Sequence, residues 1–135
     1  EGEHEHVVRP ETKLEKIGQL IEGRPDGKFL VFSEYDETFL PICQLMRDRG
    51  ISFSQIKGHI RTKERVIDMF KNGTTRVIFL NSRYNGAGIN LQEATDIILY
   101  HEMTTATENQ IVGRANRIGR TMPLDVHHLK VHAHV

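Results

Sequence analysis

Hydrophobic residues follow two patterns that alternate along the chain. Short, continuous apolar runs occupy Phe29–Ser33 and residues 76–80 and 96–100, and such runs are typical of strands buried on both faces of a sheet. Between them, apolar residues recur every three or four positions, which predicts amphipathic helices. These helices are expected from Lys13 to the glycines after residue 22, from Phe39 to Gly50, over residues 62–71 and over residues 106–115. Weaker strand patterns cover residues 52–56 and 124–131.

This order predicts the fold class and the domain organisation. Strands that alternate with helices and have continuously apolar cores favour an α/β fold, with a parallel sheet between two layers of helices. Residues 1–12 lack apolar periodicity and contain Pro10, so they are interpreted as a flexible lead-in. Residues 13–135 are then expected to form one domain.

Composition narrows the possible partners. The 18 basic residues balance the 18 acidic residues, which excludes a globally polybasic nucleic-acid binder but allows local basic patches. The single cysteine, Cys43, excludes an internal disulfide. The lone cysteine fits a reducing compartment, so we expect an intracellular protein of the cytoplasm or nucleus. No apolar stretch approaches the roughly 20 residues of a membrane span, so we expect no membrane contact.

The segment QIVGRANRIGR, residues 110–120, is the strongest local signal for chemistry. Arg114, Arg117 and Arg120 recur three residues apart, beside glycines that allow close approach. Planar guanidinium groups can bind phosphate oxygens with two hydrogen bonds each. The alternative is a solvated basic helix end that interacts with the helix dipole.

Two further segments are weaker candidates. In NSRYNGAGINL, residues 81–91, Gly86 and Gly88 follow a strand and could expose backbone N–H groups to an anion, or form an ordinary tight turn. The third glycine of a dinucleotide fingerprint is missing, which disfavours a dinucleotide-dependent reductase. In KGHIRTKER, residues 57–65, clustered cations either contact a nucleic-acid backbone or line a solvated helix face.

Some expected features are absent from the sequence. It contains no GxxxxGK[ST] segment, so the chain lacks the complete loop that binds nucleotide phosphates in P-loop proteins. His132 and His134 could together contact a metal, but no cysteine or acidic residue lies near them. We therefore expect no metal site.

Taken in order, these segments resemble the C-terminal RecA-like lobe of superfamily 2 helicases and translocases. FLVFS is similar to motif IV, SRYNGAGINLQEA to motif V and QIVGRANRIGR to motif VI. The likeness runs from about Lys28 to Val131 and is greatest to the Swi/Snf branch, whose members move on double-stranded DNA. Two departures are Arg120, where that branch has Gln, and HEMTTATEN, where it has a Trp-Asn-Pro segment. An RNA-directed or single-strand-directed relative therefore stays open.

The resemblance implies one half of a nucleic-acid motor. ATP and Mg²⁺ would be held by an N-terminal RecA-like lobe of the same polypeptide, and this chain alone would be inactive. Arg114 and Arg117 match the arginine fingers, and Gln110 matches a position that often reaches the nucleotide. The residues expected near the nucleotide or the lobe interface are Gly86, Gly88 and Asn90.

The same resemblance implies contacts with nucleic acid, DNA being favoured and RNA possible. The residues expected to contact its backbone are Ser33, Gly58, Arg61 and Ser82. The alternative function is a non-catalytic RecA-like module that binds nucleic acid or protein. The arginine pair argues against it, because these residues would serve no purpose without a nucleotide across the cleft.

Overall fold

The computed structural model describes residues 2–56, 60–82, 93–115 and 123–131, with only the backbone described for residues 60–63 and 114–115. The described strands are β1 (Gly2–Val8), β2 (Phe29–Ser33), β3 (Phe53–Ile56), β4 (Val77–Asn81), β5 (Asp96–Leu99) and β6 (Asp125–Val131). The described helices are α1 (Lys13–Glu22), α2 (Phe39–Asp48), α3 (Ile60–Lys71) and α4 (Thr105–Ala115). Every predicted helix and strand is present, although α3 begins two residues before its predicted start.

The six described strands form one parallel sheet in the order β1-β6-β5-β2-β4-β3. The central strands β5, β2 and β4 are buried along their whole length, as their apolar runs predict. All carboxyl ends of these strands meet at one edge of the sheet, and all amino ends meet at the opposite edge. The predicted α/β class with a parallel sheet is confirmed.

Successive residues of each central strand feed two separate hydrophobic cores. In β2, Leu30 and Phe32 join the core beneath α3 and α4, whereas Phe29 and Val31 join the core beneath α1 and α2. The period of two along a strand explains this division, because neighbouring side chains point to opposite faces. Helices therefore cover both faces, which gives the predicted three layers.

The first residues are not the loose lead-in that the sequence predicts. Gly2–Val8 form an edge strand that pairs in parallel with β6, from Gly2 opposite Asp125 to Val8 opposite Val131. The prediction was wrong because it relied on apolar periodicity, whereas this strand alternates Glu with His and is held largely by backbone pairing and polar contacts. The proposed limits of the domain stay a prediction.

A buried charge network fastens the amino edge of the sheet. Asp96 and Asp125 are the first residues of β5 and β6 and lie directly opposite each other in the register. Nη1 of Arg24 lies 2.9 Å from Asp96 Oδ2 and 2.5 Å from Asp125 Oδ2. Because like charges at paired positions repel, this guanidinium group is what allows two carboxylates to be buried side by side.

Three imidazole rings extend this network to β1. His4, His6 and His127 lie against one another with ring centroids 5.1 to 6.4 Å apart. Nε2 of His4 is 2.8 Å from Asp125 Oδ1, and His127 contacts both His6 at 3.0 Å and Asp96 at 2.8 Å. These side chains join the edge strand β1 to β6 and β5, so they stabilise the sheet.

Candidate functional site

The carboxyl edge of the sheet brings together residues that end or directly follow three neighbouring strands. Strand β2 lies between β4 and β5, so Ser33, Asn81 and the residues after Leu99 are adjacent. The N–H of Ser82 donates a 2.9 Å hydrogen bond to the carbonyl oxygen of Ser33. Two of the residues predicted to contact nucleic acid, Ser33 and Ser82, are thus in direct contact with each other.

Residues 33–38, here named the Tyr35 loop, leave this edge and lead into α2. The side chain of Ser33 is fully buried beneath the loop, where its hydroxyl accepts a 3.1 Å hydrogen bond from the N–H of Tyr35. The hydroxyl of Thr38 lies 2.7 Å from the carbonyl oxygen of Tyr35 and 2.8 Å from Oγ of Ser33. The Ser33 hydroxyl therefore holds the loop from inside, and its predicted contact with nucleic acid stays a prediction.

Side chains from the two neighbouring strand ends also hold the loop. From β4, the buried amide of Asn81 donates to the carbonyl oxygen of Glu34 at 3.1 Å and to Oδ1 of Asp36 at 2.9 Å. From the end of β5, Nε2 of His101 lies 2.9 Å from the N–H of Glu34. The loop is thus fastened to three strands, and such contacts restrict its conformations before any ligand arrives.

The outer surface of this loop presents an aromatic ring beside the acidic Glu37, which is also exposed. Tyr35 is 48% exposed, and its ring centroid lies 5.4 Å from that of His101. Leu40, in the first turn of α2, is 72% exposed. An exposed aromatic ring on a fixed loop is a surface on which a flat or sugar-like group can pack.

A second contact fixes the end of β5 from the side of the core beneath α1 and α2, against which Tyr100 packs. Nζ of Lys13, at the start of α1, lies 4.1 Å from the ring centroid of Tyr100. Burial lowers the pKa of Lys13 and raises the pKa of Tyr100. The cation thus packs over an aromatic face where water is largely excluded, an arrangement that stabilises the junction between α1 and the carboxyl edge.

Helix α4 follows β5 and carries the start of the arginine-rich segment. Oγ1 of Thr104 accepts a 3.2 Å hydrogen bond from the N–H of Thr107, which caps the helix, and Ile111 buries its side chain in the core. Gln110 is exposed, and Gly113 lies one turn further along. A Cβ placed on Gly113 would meet no atom of the described residues within 4 Å.

Several predicted site residues lie outside the described part of the chain. These are Gly58, Gly86, Gly88, Asn90 and Arg117. For Arg61 and Arg114 the description covers the backbone alone: Arg61 lies in the first turn of α3, and Arg114 in the last turn of α4. Their roles stay predictions.

Sequence reasoning missed the residues that organise the carboxyl edge. The sequence predicts no role for Tyr35, Asn81 or His101 themselves, although Asn81 is the first residue of the segment 81–91. The contacts of Asn81 and His101 with the Tyr35 loop join residues 45 to 67 positions apart. The pair His132 and His134 lies outside the described residues, and the described residues contain no cluster of three or more His, Cys, Asp or Glu side chains suited to a metal. Nor does any described helix have the length and apolarity needed to cross a bilayer.

The parallel sheet, its helices on both faces and the motif-bearing carboxyl edge define a RecA-like lobe of the helicase type. The chain belongs to the family described as the helicase conserved C-terminal domain, whose model matches residues 12–119. The resemblance to the C-terminal RecA-like lobe of superfamily 2 helicases, and among them to the Swi/Snf branch, is confirmed.

Individual relatives agree with this assignment. The chain is 38% identical to the putative helicase R592 of Acanthamoeba polyphaga mimivirus over 114 residues, which cover 84% of this chain and 14% of that protein. It is 28% identical to the ATP-dependent helicase fft1 of Schizosaccharomyces pombe over 87% of this chain and 13% of that protein. It is also 28% identical to the human E3 ubiquitin-protein ligase SHPRH over 95% of this chain and 8% of that protein. The chain thus spans about a tenth of the length of these relatives.

A solved structure shows the same fold. The C-terminal part of the Fun30 ATPase domain matches with a TM-score of 0.80 at 20% identity, over 88% of this chain and 41% of that one. Because only 20% of the aligned residues are identical, the match shows a shared fold, that is, the same arrangement of strands and helices.

Proposed function

We propose that this chain is the C-terminal lobe of an ATP-dependent nucleic-acid translocase that acts on double-stranded DNA inside the cell. In this proposal an N-terminal RecA-like lobe of the same polypeptide holds ATP and Mg²⁺. The present chain completes the nucleotide site and contributes part of the nucleic-acid surface. By itself it is expected to be inactive.

The observation that carries the proposal is the arrangement of the carboxyl edge. Segments similar to motifs IV, V and VI are separated in sequence. The first is β2 itself and the other two follow β4 and β5, and these three strands are neighbours in the sheet. In open parallel sheets, ligands bind outside the carboxyl ends of the strands. The family match over residues 12–119 includes the first two segments and the third as far as Gly119.

Helix α4 fits the nucleotide-facing role. Gln110 is exposed, and Gly113 stands beside open space among the described residues, so another lobe or a phosphate group could approach closely there. Arg114 and Arg117 would then reach the phosphates, where their forks neutralise charge that develops on the γ-phosphate. Mg²⁺, when bound, would neutralise charge on the phosphates, and the residues that hold it would come from the other lobe. Gly86, Gly88 and Asn90 would line the same cleft.

The surface proposed for nucleic acid would comprise the exposed face of the Tyr35 loop and Ser82, which lie at this edge. Gly58 and Arg61, which follow β3 in the sequence, would contribute to it. Contacts of this kind to the backbone carry no sequence information, which suits a protein that moves along a strand.

The decisive experiment replaces the arginine fingers in a protein that contains both lobes. We expect Arg117→Ala to lower DNA-stimulated ATP hydrolysis by about 10³- to 10⁵-fold while ATP still binds, because such fingers act on the transition state. Arg117→Lys is the matched control: it keeps the charge without the planar fork, and we expect little recovery. Arg114→Ala should behave similarly.

Two results would contradict the proposal. Robust hydrolysis by the 135-residue chain alone would mean that the chain has its own catalytic site. Full activity of Arg114→Ala and Arg117→Ala in the two-lobe protein would favour a non-catalytic binding module instead.

A further inference from the structure

His101 lies between the two segments to which the proposed function assigns different ligands. On one side its Nε2 is 2.9 Å from the N–H of Glu34, in the Tyr35 loop that would face nucleic acid. On the other side, the helix that would face the nucleotide begins four residues later, at Thr105. This imidazole is therefore a direct physical link between the two surfaces.

Two backbone groups define the state of the imidazole. The N–H of Glu34 can only donate, so Nε2 must present its lone pair to it. The carbonyl oxygen of Glu102, 3.0 Å from Nδ1, can only accept, so Nδ1 must carry the hydrogen. Both contacts together make Nδ1 the donor and Nε2 the acceptor, and they fix the plane of the ring.

The fixed ring in turn supports the exposed aromatic side chain of the loop. The centroids of Tyr35 and His101 are 5.4 Å apart, with an angle of 38° between the planes. The amide of Asn81 fastens the same loop from the side of β4. Without the imidazole, the loop would keep its anchor on β4 and lose its anchor on β5.

The connection from His101 to α4 is short and held at both ends. Met103 packs against the core beneath α4, and Thr104 caps the first turn of the helix. Only residues 102–104 separate the imidazole from the helix, so there is little slack in the chain. A shift of the first turn of α4 would therefore displace His101, and through it the Tyr35 loop.

We infer that His101 is a positioning residue that couples the conformation of the Tyr35 loop to the position of α4. It makes the response of the nucleotide site to nucleic acid depend on one hydrogen bond, from the N–H of Glu34 to Nε2 of His101. This inference rests on the proposed function for the identity of the two ligands. The hydrogen bond itself is independent of that function.

Three variants of His101 test the inference in the two-lobe protein. His101→Gln places an amide oxygen near the position of Nε2 and can accept from Glu34, whereas the shorter side chain of His101→Asn reaches only the position of Nδ1. His101→Ala removes both groups. The Gln and Asn variants are therefore a matched pair that differ mainly in the acceptor for Glu34.

The measurements are the rate of ATP hydrolysis against the concentration of duplex DNA, and hydrogen exchange at the amide of Glu34. We expect the half-saturating DNA concentration to rise about 3- to 10-fold in His101→Ala and His101→Asn, the loss expected for one hydrogen bond. The ratio of stimulated to basal rate should fall in both. Exchange at Glu34 should accelerate in the same two variants, and His101→Gln should restore all three quantities.

The possible failures are distinguishable. Equal DNA responses in all variants of a protein that DNA does stimulate would overturn the coupling role and leave the proposed function intact. Unchanged exchange at Glu34 in His101→Ala would overturn the inference at its structural basis. A wild-type rate that DNA does not change would overturn the proposed function, and the coupling role with it.

Discussion

Replacing Arg24 by methionine should expose how much the amino edge of the sheet depends on one guanidinium group. The substitution keeps an apolar stem of similar length but leaves Asp96 and Asp125 paired across β5 and β6 without a cation. Asp96 is fully buried, and the side chain of Asp125 is 8% exposed. Neither carboxylate can therefore regain much hydration in the folded state.

The expected loss of stability follows from these exposures. Removing one partner of a fully buried ion pair costs about 3–5 kcal/mol. The side chain of Arg24 is itself 44% exposed, so solvent screens part of its interaction, and we expect a loss of about 2–4 kcal/mol. At an m-value of about 2 kcal/mol/M in urea, the unfolding midpoint should fall by roughly 1–2 M.

The pH dependence gives the prediction a second, independent readout. Burial alone would raise the pKa of Asp125, but hydrogen bonds from Arg24 and His4 hold it well below the ordinary value of 3.8. A depressed pKa contributes stability that is present above the unfolded pKa and is lost as the pH falls below it. The difference between wild type and Arg24→Met should therefore be largest near neutral pH and should narrow below about pH 4.

The matched control is Arg49→Met, which removes the ion pair with Glu22 at the surface. Its two side chains are 34% and 46% exposed, and such pairs contribute about 0–1 kcal/mol. Equilibrium urea unfolding at several pH values, followed by circular dichroism, measures both variants. If Arg24→Met costs no more than Arg49→Met, or its cost is the same at pH 3 as at pH 7, the network does not act as described.

Two further predictions concern β1 and α4. Burial, with a smaller contribution from Lys16, lowers the pKa of His6 from 6.5 to about 4, so stability should decline as the pH falls from 6.5 towards 4. The free energy of unfolding should decline by on the order of 1–2 kcal/mol after solvent screening. Urea unfolding at several pH values should show a smaller decline in His6→Gln. An identical pH profile of wild type and variant would refute the prediction. Gly113→Ala should stabilise the chain by about 0.5–1 kcal/mol, because alanine loses less conformational entropy than glycine when the helix forms. The new methyl group causes no clash, since it would meet no described atom within 4 Å. The same variant should slow ATP hydrolysis in the two-lobe protein, and a rate equal to wild type would argue against close approach at this face.

The central sheet could be predicted from sequence because burial on both faces leaves a local signature. The runs at residues 29–32 and 77–80 are apolar without interruption, and helices with a clear apolar period flank them. Each of these signals lies within a few neighbouring residues. The order of the motifs then added the RecA-like topology, which no single segment could indicate.

Strand β1 could not be predicted in this way because its stabilising contacts are non-local. His4 and His6 each contact a residue 121 positions away, and the strand exposes most of its side chains. The alternation of Glu and His from Glu3 to His6 has the period of a strand. This alternation is the only sequence feature named here that indicates the strand. A prediction based on apolar residues overlooks it, because both alternating residue types are polar.

The motifs identify which segments could form the candidate site, but they do not reveal the hydrogen bonds that organise it. Ser33 and Ser82, which the motifs assign to one ligand, lie in contact because Ser33 ends β2 and Ser82 follows the neighbouring β4. Their contact with nucleic acid stays a prediction. The motifs gave no indication of His101, because its main partner is a backbone N–H group whose presence depends on the path of the Tyr35 loop. A hydrogen bond of this kind is set by tertiary structure, and the residue types alone do not specify it.

The two edges of the sheet use polar side chains in opposite ways. At the amino edge, Arg24, Asp96 and Asp125 satisfy one another, so the group stabilises the fold and offers little to a ligand. At the carboxyl edge, Asn81 and His101 bond mainly to the backbone of a loop, which leaves the ring of Tyr35 exposed on a fixed support. Substitution of Arg24 is therefore expected to alter unfolding, and substitution of His101 the response to DNA. A parallel sheet gathers its strand ends at two edges, and in this chain one edge carries stability while the other is available for function.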